Sequence, residues 1–142
     1  MKPVSELLKQ RPDSLRTVRP DDTVYEALVV LAEFEVGALV VLDGSRMVGV
    51  MSERDYTRKV ALQGRSSKET KVTEIMTRNV FAVAPQTSTH DCMALMREKH
   101  IRHLPVMAGE RVVGMISIRD LMDDIIHDHE LTIAQLESYI HS

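Results

Sequence analysis

Two stretches of this chain carry the residue types that bind phosphate and sugar. Ser52, Arg54 and Asp55 recur as Ser117, Arg119 and Asp120, each time in the order Ser-x-Arg-Asp after an apolar run. Ser followed three residues later by Asp is also a variant of the capping box, and an N-cap alone would account for both copies. That reading leaves the two arginines unexplained, because the helix dipole slightly disfavours a cation in a first turn. The second reading uses the same geometry. A helix N-terminus exposes unpaired N–H groups that favour phosphate, a Ser hydroxyl and an Arg fork add directed donors, and a carboxylate can accept both hydroxyls of a ribose. Together these groups describe a nucleotide site.

The elements that position the motif are written twice. Residues 17–56 align with 82–121 without a gap, and Pro20, Glu33, Leu39, Val41, Gly44, Arg46, Val48 and Gly49 reappear at Pro85, Glu98, Leu104, Val106, Gly109, Arg111, Val113 and Gly114. Upstream, "VSELL" at Val4 answers "VTEIM" at Val72, and the polar stretch Gln63 to Lys71 reads as a linker. Within each unit a short apolar strand ends at Pro20 or Pro85, and a helix follows. Thr23 and Glu26 form a capping-box pattern, with Val24, Leu28, Leu31 and Ala32 at helical spacing. The matching helix runs from about Ser88 to Lys99, with Cys92, Leu95 and Met96 on its apolar side. Asp43-Gly44 and Ala108-Gly109 then divide pairs of β-rich runs into hairpins, and a second helix starts at Ser52 or Ser117. The expected fold is α/β, two quasi-symmetric β-α-β-β-α subdomains packed as a tandem pair, since one such unit buries too little alone. The division is 1–62 and 72–128 for the two units, 63–71 for the linker, and 129–142 for a C-terminal helix.

Composition narrows the class. Hydrophobic residues at 44% suffice for a core, which three Tyr, two Phe and no Trp leave to Val, Leu, Ile, Met and Ala. A net charge of −3 and a pI near 6.1 argue against a general nucleic-acid binder. Cys92 is the only cysteine, so no intramolecular disulfide forms and it reads as core. No run approaches the roughly 20 apolar residues that span a bilayer, and residues 1–14 lack the apolar stretch of a signal peptide. No membrane association and a cytoplasmic location are expected. Neither a Rossmann nor a P-loop glycine pattern is present, so neither explains nucleotide binding.

The repeated unit resembles the CBS domain family, and the chain from Val4 to about Ile126 is similar to a stand-alone tandem pair, often called a Bateman module. The resemblance rests on "VSELL" and "VTEIM", on "RHLPVM" (Arg102 to Met107), and on "VGVMSERD" and "VGMISIRD". It implies a non-catalytic regulatory or signal-transduction module that binds adenine nucleotides (AMP, NAD or ATP), forms a homodimer and reports ligand state to a partner protein. It also implies clefts that draw on both halves. Around Asp55 these are Val50, Ser52 and Arg54, with Phe81, Arg102, His103 and Arg119 from the other half. Around Asp120 they are Met115, Ser117 and Arg119, facing Arg16, Thr17, Val36, Gly37, Ala38 and Arg54. The apolar members of these sets read equally well as core. The sequence departs from the family pattern at Val40, where the second half has Pro105. Gly37 also stands where the second half has Arg102, so the two clefts are expected to be unequal.

Two rivals remain open. His127, His129 and Glu130 could serve a small metal-dependent hydrolase, although His-Glu-x-x-His is absent and a solvated helix explains the run. Alternatively the clefts are ligand-free, and the working surface of a dimeric interaction protein is the amphipathic helix from Leu131 to Ile140. Lacking Lys and Arg, that helix suits a partner subunit better than a membrane.

Overall fold

The computed structural model describes residues 2–12 and 14–141. Its elements run α1 (Val4–Lys9), β1 (Thr17–Val18), α2 (Val24–Phe34), β2 (Ala38–Asp43), β3 (Arg46–Ser52) and α3 (Glu53–Tyr56), which widens into a π-helical turn over Thr57–Ala61. There follow α4 (Val72–Ile75), α5 (Thr89–Lys99), β4 (His103–Ala108), β5 (Arg111–Ser117) and α6 (Ile118–His141). The fold is the expected mixed α/β pair of repeats.

Local chemistry explains most boundaries. Thr23 caps α2 with a reciprocal box to Glu26, and Ser88 caps α5 by accepting from the Asp91 N–H. Both helices end at a non-glycine residue in the left-handed region, Glu35 (φ 52) and His100 (φ 54), sixty-five positions apart. There the N–H groups of Val36 and Ile101 close back on the carbonyls of Leu31 and Met96, turning the chain into the next strand. Each hairpin tip holds a glycine at φ 64, Gly44 and Gly109, with the register slipping at equivalent bulges beyond Val41 and Val106.

The halves differ in their first strand. Thr17 and Val18 pair in parallel with Val40 and Val41, making a three-stranded sheet in the order β1-β2-β3. The corresponding strand of the second half shrinks to one bridge between Val83 and Val106, leaving β4 and β5 as a two-stranded sheet.

Packing crosses the sequence division. The Val4 N–H donates to the Thr87 carbonyl and Ser5 to Pro85, so α1 sits on the second half, where Val4 and Leu7 join Cys92, Leu104, Ile116 and Leu121 in one core. In the same way Val72 donates to Asp22 and Thr73 to Pro20, and Val72, Ile75 and Met76 enter the core of Leu31, Leu39 and Met51. Each half thus covers its sheet with the helix that precedes the other. The segment between them is held too: Thr70 is buried, its hydroxyl bonded to the Ser66 carbonyl, and Tyr25 N–H donates to Ser67. A third cluster of Ala38, Val40, Val112 and Met115 joins the two sheets. The cores are built of Leu, Ile, Met and Val, as the scarcity of aromatic residues requires.

At the C-terminus, α6 runs unbroken for 24 residues, so residues 129–141 continue the helix that Ser117 opens rather than forming a separate element. Leu121 and Asp124 anchor its first turns in the body, and every residue from His127 to Ile140 is exposed.

Candidate functional site

Both Ser-x-Arg-Asp motifs sit where a strand ends and a helix begins. Ser52 closes β3 and caps α3: its hydroxyl accepts from the Asp55 N–H at 3.1 Å, while its own N–H donates to the Asp55 carboxylate at 3.0 Å. Ser117 and Asp120 repeat both bonds at 3.1 and 3.0 Å. The capping box is therefore formed in both copies. Capping holds each carboxylate at the mouth of a helix, facing the gap between the halves.

The two carboxylates differ in their remaining partners. Asp55 is buried and also accepts from the Thr77 hydroxyl at 3.2 Å and from Lys59 Nζ at 3.0 Å. Thr77 reaches it because the chain after α4 pairs with β3, the Val50 and Thr77 backbones exchanging bonds of 2.8 and 3.0 Å. Asp120 instead meets Arg11 at 3.0 Å, a pair whose arginine side chain is 41% exposed and able to swing away.

A cleft of about 1290 Å³ runs between the halves and takes in both motifs. Of the residues singled out from the sequence, Val36, Gly37, Ala38, Val50, Ser52, Arg54, Asp55, Phe81, Arg102, His103, Met115, Ser117, Arg119 and Asp120 line it. The residues expected around two separate clefts thus face one continuous groove. Arg16 and Thr17 lie outside the lining. The Arg16 guanidinium stacks on the Phe34 ring, 3.7 Å from its centroid, and Thr17 is an exposed residue of the edge strand β1.

Phe34 does line the groove, and a second aromatic–cation pair answers it: Lys99 lies over Phe81, 5.0 Å from the centroid. Positions 16 and 34 correspond to 81 and 99, so the same contact is made with cation and ring exchanged. Phe34 was not foreseen, since an isolated Phe at a helix end carries no motif. Thr77, Arg11 and Arg58 also line the groove without any signal in the repeat. Lys59, four residues after Asp55 in a helical run, was findable by spacing alone.

Charge in the groove opposes that of the chain. Arg11, Arg54, Arg58, Lys59, Arg102 and Arg119 line it against Glu35, Glu53, Asp55 and Asp120, and both aspartates already hold cap and cation partners. Arg54 spans the gap, donating to the His100 carbonyl at 3.2 Å. A cationic, partly enclosed groove concentrates anions even where the net charge is negative. His103 sits deep in this field. Burial holds its imidazole below the ordinary histidine range, Arg102 and Arg54 push the same way, and Asp120 opposes them. Its ring rests against Gly37, where a Cβ would come within 3.1 Å of both Cε1 and Nε2.

Elsewhere, His127, His129 and Glu130 are exposed on α6, and among the described residues no three His, Cys, Asp or Glu side chains gather as metal ligands. Cys92 is buried, and burial pushes its thiol up to about 11, far from nucleophilic character. Among the described residues no helix is long and apolar enough to cross a membrane.

Comparison with known proteins agrees with this architecture. Residues 4–62 and 72–127 each match the family model of the CBS domain. The chain is 42% identical over 125 residues to the CBS domain-containing protein CBSX3, mitochondrial, of Arabidopsis thaliana, covering 84% of this chain and 61% of that longer relative. It superposes on a signal-transduction protein with CBS domains from Burkholderia ambifaria MC40-6 with a TM-score of 0.85 at 48% identity, covering 89% of this chain and 96% of the other. It also superposes on the hexameric CBS-CP12 protein of bloom-forming cyanobacteria, with a TM-score of 0.75 at 28% identity, covering 84% and 66% of the two chains.

Proposed function

Because this chain belongs to the CBS domain family, as a tandem pair of the regulatory and signal-transduction type, we propose that it is a non-catalytic sensor whose central groove takes an adenine nucleotide of the AMP, ATP or NAD class. The observation that carries this reading is the composition of the groove. Cations from both halves face a space of about 1290 Å³ that also holds two aromatic rings and two capped carboxylates. Arg54, Arg102 and Arg119 are the phosphate ligands in this reading, charge-assisted donors contributed by both halves. Phe34, Phe81, Val36 and Met115 offer the purine an apolar lining. Asp120 is the better ribose acceptor, since releasing Arg11 frees one carboxylate oxygen without breaking the cap. Asp55 would have to give up Lys59 or Thr77. A ligand that touches both halves biases their relative disposition, and it does so only as far as it binds one disposition more tightly. A homodimer, a cytoplasmic setting and an effector protein complete the reading.

Calorimetric titration with AMP, ATP and NAD tests it, alongside mass spectrometry of small molecules released on denaturation. Saturable binding of one class, weakened by Arg54→Ala and Arg119→Ala, is the expected result. No heat with any of the three, and no adenine compound released, would leave the groove without this ligand.

A further inference from the structure

The exposed length of α6 carries a second pattern that the nucleotide reading does not use. Starting within the turns anchored by Leu121 and Asp124, Met122, Ile126, His129, Ile133, Leu136 and Ile140 follow one another at intervals of four and three. That is the a/d spacing of a coiled coil, with Ile at all three a positions and Met122, His129 and Leu136 at d; Ile at a with Leu at d, as at Ile133 and Leu136, favours two parallel strands. The apolar members are 51, 52, 55, 58 and 76% exposed in the single chain. From residue 127 onwards every residue of α6 to Ile140 is exposed, with Asp128 reaching back to Lys2 at 3.7 Å, and a helix so exposed is marginal in water unless its apolar face finds a partner.

Charge indicates which partner and which direction. The e positions are Asp123, Glu130 and Glu137, and the g positions are Ile125, Thr132 and Tyr139. Two parallel copies set each acidic e position beside an uncharged g position. Antiparallel copies would set acid against acid, which is unfavourable. With no Lys or Arg after Arg119, the helix suits neither an anionic membrane nor an acidic partner surface. His129 is the one polar side chain in the seam, and a slip of one heptad would bury each imidazole against Leu or Met instead of its twin. A single polar pair of this kind specifies register.

We propose that residues 122–140 pair with the same residues of a second copy as a parallel, in-register, two-stranded coiled coil. The two bodies are then held at the same end of the seam.

Single cysteines in the full chain test direction and register together; Cys92 is buried and does not compete. Under a mild oxidant at micromolar concentration, Leu136→Cys should convert to a disulfide-linked pair, while Ser138→Cys, on the outer face, should stay single. Adding Ile126→Asp and Ile133→Asp, both exposed positions, should abolish the Leu136→Cys cross-link while the circular dichroism of the body persists. His129→Leu should strengthen association. No cross-link at Leu136, equal cross-linking at Ser138, or a cross-link only between Met122→Cys and Leu136→Cys chains would overturn the proposal. So would a dimer mass that survives the aspartate substitutions without any Leu136 cross-link. None of these readouts involves a nucleotide, so they stand or fall apart from the groove's function.

Discussion

The imidazole of His103 occupies the space that Gly37 leaves open. The two residues come from opposite halves, and a Cβ on Gly37 would sit 3.1 Å from two ring atoms. This contact wedges the start of β4 against the approach to β2 and fixes the groove's width at that point. Gly37→Ala should therefore force the ring aside and destabilise the protein by about 1–3 kcal/mol, the usual range for overpacking. His103→Ala in the same chain should recover much of the loss, since neighbouring sites couple. Urea denaturation of the two single variants and the double variant measures the coupling; strictly additive effects would contradict the contact.

His103 also gives a signed pH dependence. Its folded-state affinity for a proton is depressed by burial and by Arg102 and Arg54. Below its ordinary value near 6.5 the unfolded chain takes up a proton that the folded chain resists, so folding loses stability as pH falls. Above that value the contribution is fully present. Thermal melts from pH 8 to pH 5 should show a steeper decline for the native chain than for His103→Gln. Parallel curves would remove this residue from the acid response.

The exchanged helices predict a non-local effect of a local change. Leu7 lies near the N-terminus but is buried in the core of the second half, with Leu104 and Ile116. Leu7→Ala should cost roughly 2–5 kcal/mol. Hydrogen exchange should then show earlier opening of α5, β4 and β5 than of β2 and β3. Loss of protection confined to the first sheet would contradict the exchange of helices.

The two capping aspartates should respond differently to substitution. Asp55→Ala removes the side-chain arm of its capping box and strands the Lys59 and Thr77 contacts, whereas Asp120→Ala loses the same arm and one half-exposed ion pair, each Ser cap staying in place. Greater destabilisation of the Asp55 variant by chemical denaturation is the expected result. Asparagine at either position retains an acceptor for the Ser N–H, so Asp120→Asn separates ligand contact from stability. Nucleotide affinity should fall in that variant while the melting temperature holds.

Arg102→Gly isolates the inequality between the two ends of the groove, because Gly37 is its counterpart in the first half. Removing the cation should weaken binding of ATP or NAD more than that of AMP, as a longer phosphate chain draws on more donors. Equal losses for all three ligands in competition titrations would show that Arg102 does not discriminate by phosphate number.

The repeat, its hairpin tips, the capped helix starts and the family were all legible in residues 17–56 and 82–121, because each rests on short-range chemistry. Thr23 with Glu26, Ser52 with Asp55, and Gly44 at positive φ are settled by neighbours a few positions away. Fourteen of the sixteen residues assigned to the clefts line the groove, since the repeat places them at strand ends that face the opposite half. What the chain order concealed depends on contacts between distant segments. That α1 covers the second core and α4 the first follows from which apolar edge each docked sheet leaves open, and no local pattern records it. Arg11 beside Asp120, Thr77 beside Asp55 and Phe34 in the groove come from those exchanged segments or from a helix end. Arg16 lies outside the groove lining but stacks on the ring of Phe34, which lines it, a partner eighteen positions away that folding brings within 3.7 Å.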